Sequence, residues 1–286
     1  MTATVSFTID SPTGPQKATV AYERRGSGEP LLLLHGIGHH LQAWHPVLDL
    51  LAADYDVVAV DLPGFGVSEP LPTGVPYDLE TVVPALGALC GALGLERPHV
   101  AGNSLGGLLA LSMGRAGLVR SVTALSPAGF WTEAERRYAF ATLLAMRAGA
   151  RALPRPALEV LARSSAGRAV LTGTIYARPG RRAPEDVVAE TLALRGATGF
   201  TQTLSAGGSV NFTEDVPGLP VTIAWGSRDR LLLRRQGVRA KRTVPGARLV
   251  RLPGCGHVPM HDDPALVSRV IADTARAAGP ERPAGV

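Results

Sequence analysis

Apolar and polar positions along the chain alternate between two patterns: short apolar runs, and longer stretches with helical spacing. Residues 5–9 alternate and residues 19–22 read as a second strand. Ser11, Pro12, Thr13, Gly14 and Pro15 lie between them as a turn, so the chain opens on an expected β-hairpin. Residues 31–34 are four leucines with no polar face, and similar runs recur at 56–60, 100–102, 122–125, 221–225 and 248–252. A strand that is apolar on both sides is buried on both sides. Short strands of this kind, separated by helix-length segments, predict an α/β fold with a mostly parallel, doubly wound sheet.

The spacing predicts helices at 43–53, 79–95, 105–115 and 264–277. Pro84 is placed about the first turn of the second helix, where a missing N–H is tolerated. Asp263 and Pro264 read as cap and first residue of the last. Residues 131–215 break the rhythm, with helical stretches at 133–150, 156–162 and 184–194 and no buried strand. Pro154, Pro156, Pro179 and Pro184 punctuate them. The expected organisation is a core of residues 1–130 and 216–286, with 131–215 inserted as a helical cap. The Pro/Gly-rich tail from Gly279 is expected to fray.

Composition narrows the classes. With 286 residues, 45% of them hydrophobic and 19% charged, the chain has material for a sizeable core, which excludes wholesale disorder. The formal charge of +5 is unevenly spread: nine basic residues lie between Arg228 and Arg251, against the single acid Asp229. This stretch reads as a solvated arginine-rich helix face, or as a patch for an acidic protein partner. It has few aromatic side chains to stack bases and no groove-reading motif, so no nucleic acid is expected. Two cysteines, Cys90 and Cys255, make neither a disulfide framework nor a zinc site. No basic-then-apolar leader opens the chain, and no apolar run approaches the ~18 residues of a membrane span. A cytoplasmic protein without a membrane span is the expectation.

The strongest chemical signal is Gly102-Asn103-Ser104-Leu105-Gly106-Gly107, between an apolar strand and a small-residue helix. It fits G-x-S-x-G, a tight turn that holds a serine hydroxyl above the sheet edge, with small neighbours letting strand and helix approach closely. The helix N-terminus behind it offers N–H groups to a developing oxyanion. The bland alternative is an ordinary turn serine. A serine hydroxyl needs a base. His257, in the glycine-rich loop Gly254-Cys255-Gly256-His257 after a late strand, stands in the chain order Ser, acid, His. His261 reads instead as a helix-start residue. Asp229, just past the strand 221–225, is the acid that would orient the imidazole; its alternative is a surface salt bridge. Asp61, in Asp61-Leu62-Pro63-Gly64, reads as turn chemistry.

His35-Gly36-Ile37-Gly38 follows the leucine strand and is the expected oxyanion loop, with the N–H groups of Ile37 and Leu105 as donors. His35 would orient the loop or fill the core. His39 and His40 face either the pocket mouth or solvent. No carboxylate or cysteine joins these histidines at ligand spacing, so no metal is expected.

At these residues the chain resembles capped serine hydrolases of the α/β-hydrolase fold, such as bacterial carboxylesterases and C–C bond hydrolases. The motifs that carry the resemblance are His35 to Gly38, Trp44, Asp61 to Ser68, Gly102 to Gly107, Gly226 to Asp229 and Gly254 to His257, in family order. The resemblance implies hydrolysis of a carboxylic ester through an acyl-enzyme, with a small-molecule acyl substrate. Family members with an aspartate nucleophile are set aside by Ser104, and lyases that need a lysine beside the acid by the scarcity of lysine. C–C hydrolases of vinylogous diketones remain open, although Val258 stands where they usually carry tryptophan. So do a thioesterase for an acidic carrier protein and a catalytically weak binding protein of the same fold. No Walker-type or dinucleotide loop appears, so no cofactor is implied. Phe130, Trp131, Phe140, Leu144, Met146 and Val258 are the expected pocket residues, the alternative being that the aromatic ones hold cap to core.

Overall fold

The computed structural model describes residues 2–11 and 14–279; Pro12 and Thr13 of the expected turn, and the tail beyond Gly279, lie outside the described residues. The described strands are β1 (Ala3–Ile9), β2 (Gln16–Arg25), β3 (Glu29–Leu34), β4 (Tyr55–Val60), β5 (His99–Asn103), β6 (Ser121–Leu125), β7 (Val221–Gly226) and β8 (Arg248–Leu252). They form one sheet in the order β1-β2-β4-β3-β5-β6-β7-β8. β2 pairs antiparallel with β1 and β4, and the other pairings are parallel. The leucine run lies at the centre, with Leu31 to Leu34 in register with Val57 to Val60 on one side and His99 to Gly102 on the other.

Strand periodicity divides these leucines between two cores. Leu32 and Leu34 join Val58, Val100, Leu86 and Met113 on one face, and Leu31 and Leu33 join Val57, Leu48, Val267 and Ile271 on the other. The first face is covered by α2 (Leu79–Ala92) and α3 (Leu105–Arg115), the second by α1 (His45–Ala52) and α10 (Pro264–Arg276). From β3 the chain crosses to β4 on one side and then to β5 on the other. A crevice therefore opens at the carboxyl ends of β3 and β5, where doubly wound sheets bind ligands.

Details depart from the sequence pattern. A 3-10 turn, Leu41–Trp44, precedes α1. Pro84 lies in the second turn of α2 rather than the first, and α2 stops at Ala92, with Gly94 at φ 68° just beyond. Asp78 caps α2 through the Thr81 N–H at 2.9 Å, and Asp263 caps α10 through Leu266.

Between β6 and β7 the chain forms α4 (Glu133–Ala152), α5 (Arg155–Arg163), α6 (Ser165–Thr172), α7 (Pro184–Gly196) and α8 (Phe200–Ala206). The short helices α6 and α8 are not evident in the periodicity. Their serine, threonine and glycine residues are weak helix formers, so they depend on caps and packing. Ser164 caps α6 by accepting from Gly167 N at 2.9 Å. α4 opens with a reciprocal capping box between Thr132 and Glu135. Glu135 is buried and also accepts from Arg235 and Arg239 of α9 (Arg235–Thr243), which ties α4 to the core. The Lys241 ammonium reaches the carbonyls of Pro245 and Ala247 at 2.6 Å. Part of the basic stretch between Arg228 and Arg251 is thus bound within the molecule. Among the described residues no helix is long and apolar enough to cross a membrane.

Asp61, after β4, is a buried hub. Its Oδ1 accepts from Leu41 N at 2.6 Å and its Oδ2 from Val67 N at 2.9 Å. A Cβ on Gly66 would sit 2.1 Å from Oδ2, so the turn requires glycine there. Asp61→Ala strands two amides, at ~1–3 kcal/mol each. The expected result is a urea midpoint lowered in proportion, with an unchanged m-value.

Candidate active site

Ser104 occupies the tight turn between β5 and α3 with φ 56° and ψ −112°, a conformation uncommon for a residue with a Cβ. Close backbone approach enforces it. A Cβ on Gly102 would sit 2.0 Å from the Gly106 carbonyl oxygen, and one on Gly106 would sit 2.1 Å from that of Leu34. The Ser104 N–H donates to the Leu125 carbonyl at 3.0 Å, and the Ser104 carbonyl accepts from Leu108 and Ala128. Asn103 Nδ2 bridges the carbonyls of Leu125 and His257 at 3.1 and 2.9 Å, which links the serine turn to the histidine loop.

Asp229 and His257 meet across the ends of β7 and β8. His257 Nδ1 lies 2.9 Å from Asp229 Oδ2, and both side chains are buried. Asp229 Oδ1 accepts from the N–H groups of Leu231 and Leu232, each at 2.9 Å. A carboxylate can only accept here, so Nδ1 carries a proton, and in the neutral ring Nε2 is the nitrogen with the lone pair. A Cβ on Gly226 would fall 2.1 Å from the Gly256 carbonyl oxygen, so glycine at both loops permits the approach. Asp262 holds the histidine loop from behind, accepting from Gly256 at 2.8 Å and from Ala177 and Arg178 at 3.1 Å.

The loop after β3 lies against the serine turn: a Cβ on Gly36 would be 3.2 Å from Ser104 Cβ. His35 is fully buried and fixes this loop. Its Nδ1 donates to the Gly36 carbonyl at 2.7 Å and its Nε2 accepts from Leu62 N at 3.0 Å. Burial pushes the His35 imidazole down to about 4, against the opposing pull of Asp61. Gly38, at φ 73°, faces Leu194 of α7 at a distance that leaves no room for a Cβ. Leu105 is the first residue of α3, where backbone N–H groups have no helical acceptor.

Two pockets adjoin Ser104. One holds Gly36 to His39, Asn103, His257 and Val258, roofed by Leu143, Met146, Leu171, Thr172, Glu190 and Leu194, with about 610 Å³ of space up to its mouth. The other holds Ile37, Leu105, Leu108, Trp131, Phe140, Thr203 and Leu231, with about 490 Å³. Of the expected pocket residues, Trp131, Phe140, Met146 and Val258 line these spaces. Leu144 does not: its side chain is 54% exposed on the outer surface of α4, facing a shallow groove with Arg137 and Thr201. Ala139, Leu143 and Ala150 define the inward face of the helix, Phe140 sits at its edge, and Leu144 falls beyond that edge. Phe130 also misses both pockets. It is buried against Phe212, with ring centroids 5.5 Å apart, and serves packing.

The sequence reading missed a polar cluster behind the first pocket, which only its members His39 and Glu190 line. Tyr176 donates to Glu190 Oε1 at 2.8 Å and lies 3.1 Å from His39 Nε2. Arg182 grips Glu190 at 2.9 and 2.5 Å, with its guanidinium 4.1 Å from the Tyr176 ring centroid. His261 packs edge-on against Tyr176, at 5.5 Å between centroids, so it is no mere helix-start residue. Burial pushes His261 down to about 3, helped by Arg182. His39 is likewise depressed, by burial and then by His40. The cluster combines one ion pair with neutral imidazoles. A signal was present: Glu190 shares a helical face with Val187, Thr191 and Leu194, and an acid on an apolar stripe needs a partner. Among the described residues no group of three metal-ligating side chains forms a metal site.

Comparison with known proteins places the chain. Residues 31–270 match the model of the alpha/beta hydrolase family, and the chain belongs to that family. An uncharacterized protein of Mycobacterium tuberculosis is 31% identical over 266 residues, spanning 88% of this chain and 76% of that protein. A pimeloyl-[acyl-carrier protein] methyl ester esterase of Aeromonas hydrophila is 46% identical over 92 residues, or 32% of this chain and 34% of the esterase. The solved thermophilic esterase of Thermogutta terrifontis superposes with a TM-score of 0.76 at 20% identity, covering 97% of this chain and 100% of that one, a likeness of fold.

The buried histidines predict a pH effect. An unfolded imidazole titrates near ~6.5. As pH falls below that, the unfolded chain takes up protons that native His35 and His261 refuse, so stability falls. The loss ends near pH 4 for His35 and near 3 for His261. Each contributes a slope of at most ~1.4 kcal/mol per pH unit. Urea unfolding of His261→Gln is expected to show a shallower fall between pH 6.5 and 4. An unchanged slope would mean that His261 is protonated in the native protein.

Proposed function

We propose that this protein is a serine hydrolase that cleaves a carboxylic ester through an acyl-enzyme. The observation that carries the reading is the pocket shared by Ser104, on its strained turn, and His257, whose Nδ1 is 2.9 Å from Asp229. In this reading His257 Nε2 takes the Ser104 proton as Oγ attacks the carbonyl. Asp229 holds the tautomer and stabilises the imidazolium, and its second oxygen, occupied by two backbone amides, cannot turn away. The N–H groups of Ile37 and Leu105 receive the oxyanion of the tetrahedral intermediate. His257 returns the proton to the leaving alcohol, and water then releases the acid by the same steps. No cofactor takes part.

Residues 131–215 act as the cap in this reading, because α4, α6, α7 and α8 all contribute walls to the pockets at Ser104. The ester reading is preferred to its neighbours for physical reasons. A C–C hydrolase leans on a cap arginine to hold an anionic substrate. No arginine is among the walls of the two pockets at Ser104, and Arg182 lies behind Glu190 and is paired with it. An acidic carrier protein would dock on the basic stretch between Arg228 and Arg251, of whose nine cations Arg235 and Arg239 are engaged by Glu135 and Lys241 by backbone carbonyls. The name of the Aeromonas relative, a pimeloyl-[acyl-carrier protein] methyl ester esterase, supports ester cleavage and does not argue against a carrier partner.

A fluorophosphonate is expected to label Ser104 and to leave Ser104→Ala unlabelled, as read by mass spectrometry. Loss of the nucleophile should lower kcat by on the order of 10⁴ or more, because such residues act as a unit. Asp229→Asn should keep the fold yet reduce kcat by roughly 10⁴ through the wrong tautomer. A label on another serine, or full activity in Asp229→Asn, would remove these residues from their roles.

A further inference from the structure

Ser104 opens onto two arms of different chemistry. The arm that contains His257 also presents His39, Thr172, Glu190 and Thr191. The other is walled by Ile37, Leu105, Leu108, Trp131 and Phe140, and His257 is not among its walls. In ester hydrolysis the departing alcohol takes its proton from the base, so it leaves on the histidine side. The acyl group stays bonded to Ser104 and needs the apolar arm.

That arm has a continuation. Leu105, Leu108, Thr203, Gly207 and Val210 are also walls of a further pocket. It lies between α3 and the segment after β4, and its far side is formed by Leu71, Tyr77, Val82 and Ala206. Polar groups at that end have protein partners. The Tyr77 hydroxyl accepts from Leu71 N at 2.9 Å, and the Asp78 carboxylate caps α2. The walls are therefore mainly hydrocarbon, the exception being Thr203, whose buried hydroxyl has no hydrogen-bond partner, and Gly207 at the shared wall presents no side chain to block passage.

We infer that the two cavities form one channel for a single unbranched, apolar acyl chain, with its carbonyl at Ser104 and its far end between Tyr77, Val82 and Ala206. The preferred esters then carry medium-to-long saturated acyl groups. This inference rests on the reading of Ser104 as nucleophile and goes further, to the substrate class. The arm at His257, which holds the polar groups among otherwise apolar walls, takes the alcohol portion.

Ala206 walls the far cavity and not the one at Ser104, so Ala206→Phe fills the far end alone. With p-nitrophenyl esters, kcat/KM is expected to rise from C2 to at least C8, by up to about fourfold per methylene, the factor for burying one CH₂. Ala206→Phe should lower C8 and C10 by ~10-fold or more while C2 and C4 stay within twofold. Val82→Phe, filling the same space from the opposite wall, should do the same. A wild-type optimum at C2 to C4, or unchanged C8 and C10 rates in both variants, overturns the channel. Calorimetry of butyrate and octanoate on Ser104→Ala repeats the comparison without turnover. Tighter octanoate binding that Ala206→Phe abolishes supports the channel, and equal affinity for the two acids overturns it. If no ester is cleaved and Ser104 stays unlabelled while octanoate still binds more tightly, the nucleophile reading fails and the channel stands.

Discussion

The carboxyl edge of the sheet depends on backbone approaching backbone more closely than a side chain permits. The Gly106 position admits no Cβ beside the Leu34 carbonyl, and Gly102 admits none beside Gly106. This contact closes β5 and α3 against β3 and forces Ser104 into its positive-φ turn. The same device recurs where Gly226 meets Gly256, which sets Asp229 opposite His257. Gly36 lies against Ser104, where an added Cβ would come to 3.2 Å from the serine Cβ. Strain at the serine is thus held by the Gly102 and Gly106 contacts, which enlarging either glycine would disrupt.

Polar groups around this edge are arranged so that few can move. Asp229 is saturated by two amides and one imidazole. His35 is locked between Gly36 and Leu62, and Asp61 joins the segments at Leu41 and Val67. Asp262 fastens the His257 loop to Ala177 and Arg178 of the inserted region. The roof is therefore attached to the loop that carries the base. On the far side, Glu135 fastens α4 to α9. Buried carboxylates act here as joints between segments distant in sequence. Each has several donors, which offsets the cost of taking a charge out of water.

The pockets show how the inserted helices divide chemistry around one nucleophile. α7 brings Glu190, and with it Arg182 and Tyr176, to one side of Ser104. α4 and α8 bring Phe140, Leu143, Thr203 and Leu204 to the other. A single residue's step around the helix decides which residues take part: Leu143 faces in, and Leu144 faces solvent.

Signals confined to a few adjacent residues were legible in the sequence. The leucine run, the G-x-S-x-G turn and the glycine-flanked histidine each encode a local backbone requirement. Their order along the chain sufficed for the α/β-hydrolase fold, and it singled out Ser104, Asp229 and His257 as candidates that the structure then brings to one sheet edge. Helices α6 and α8, with weak local propensity, were not legible, because their stability comes from packing. The Tyr176, Arg182, Glu190, His39 and His261 cluster was largely hidden, since its members come from segments distant in sequence and the one signal, an acid on the apolar stripe of α7, does not say which partner meets it. Whether Leu144 or Leu143 lines the pocket depends on the rotation of α4 against the core. That rotation is set by long-range contacts such as those of Glu135, Arg235 and Arg239, which only the folded chain makes.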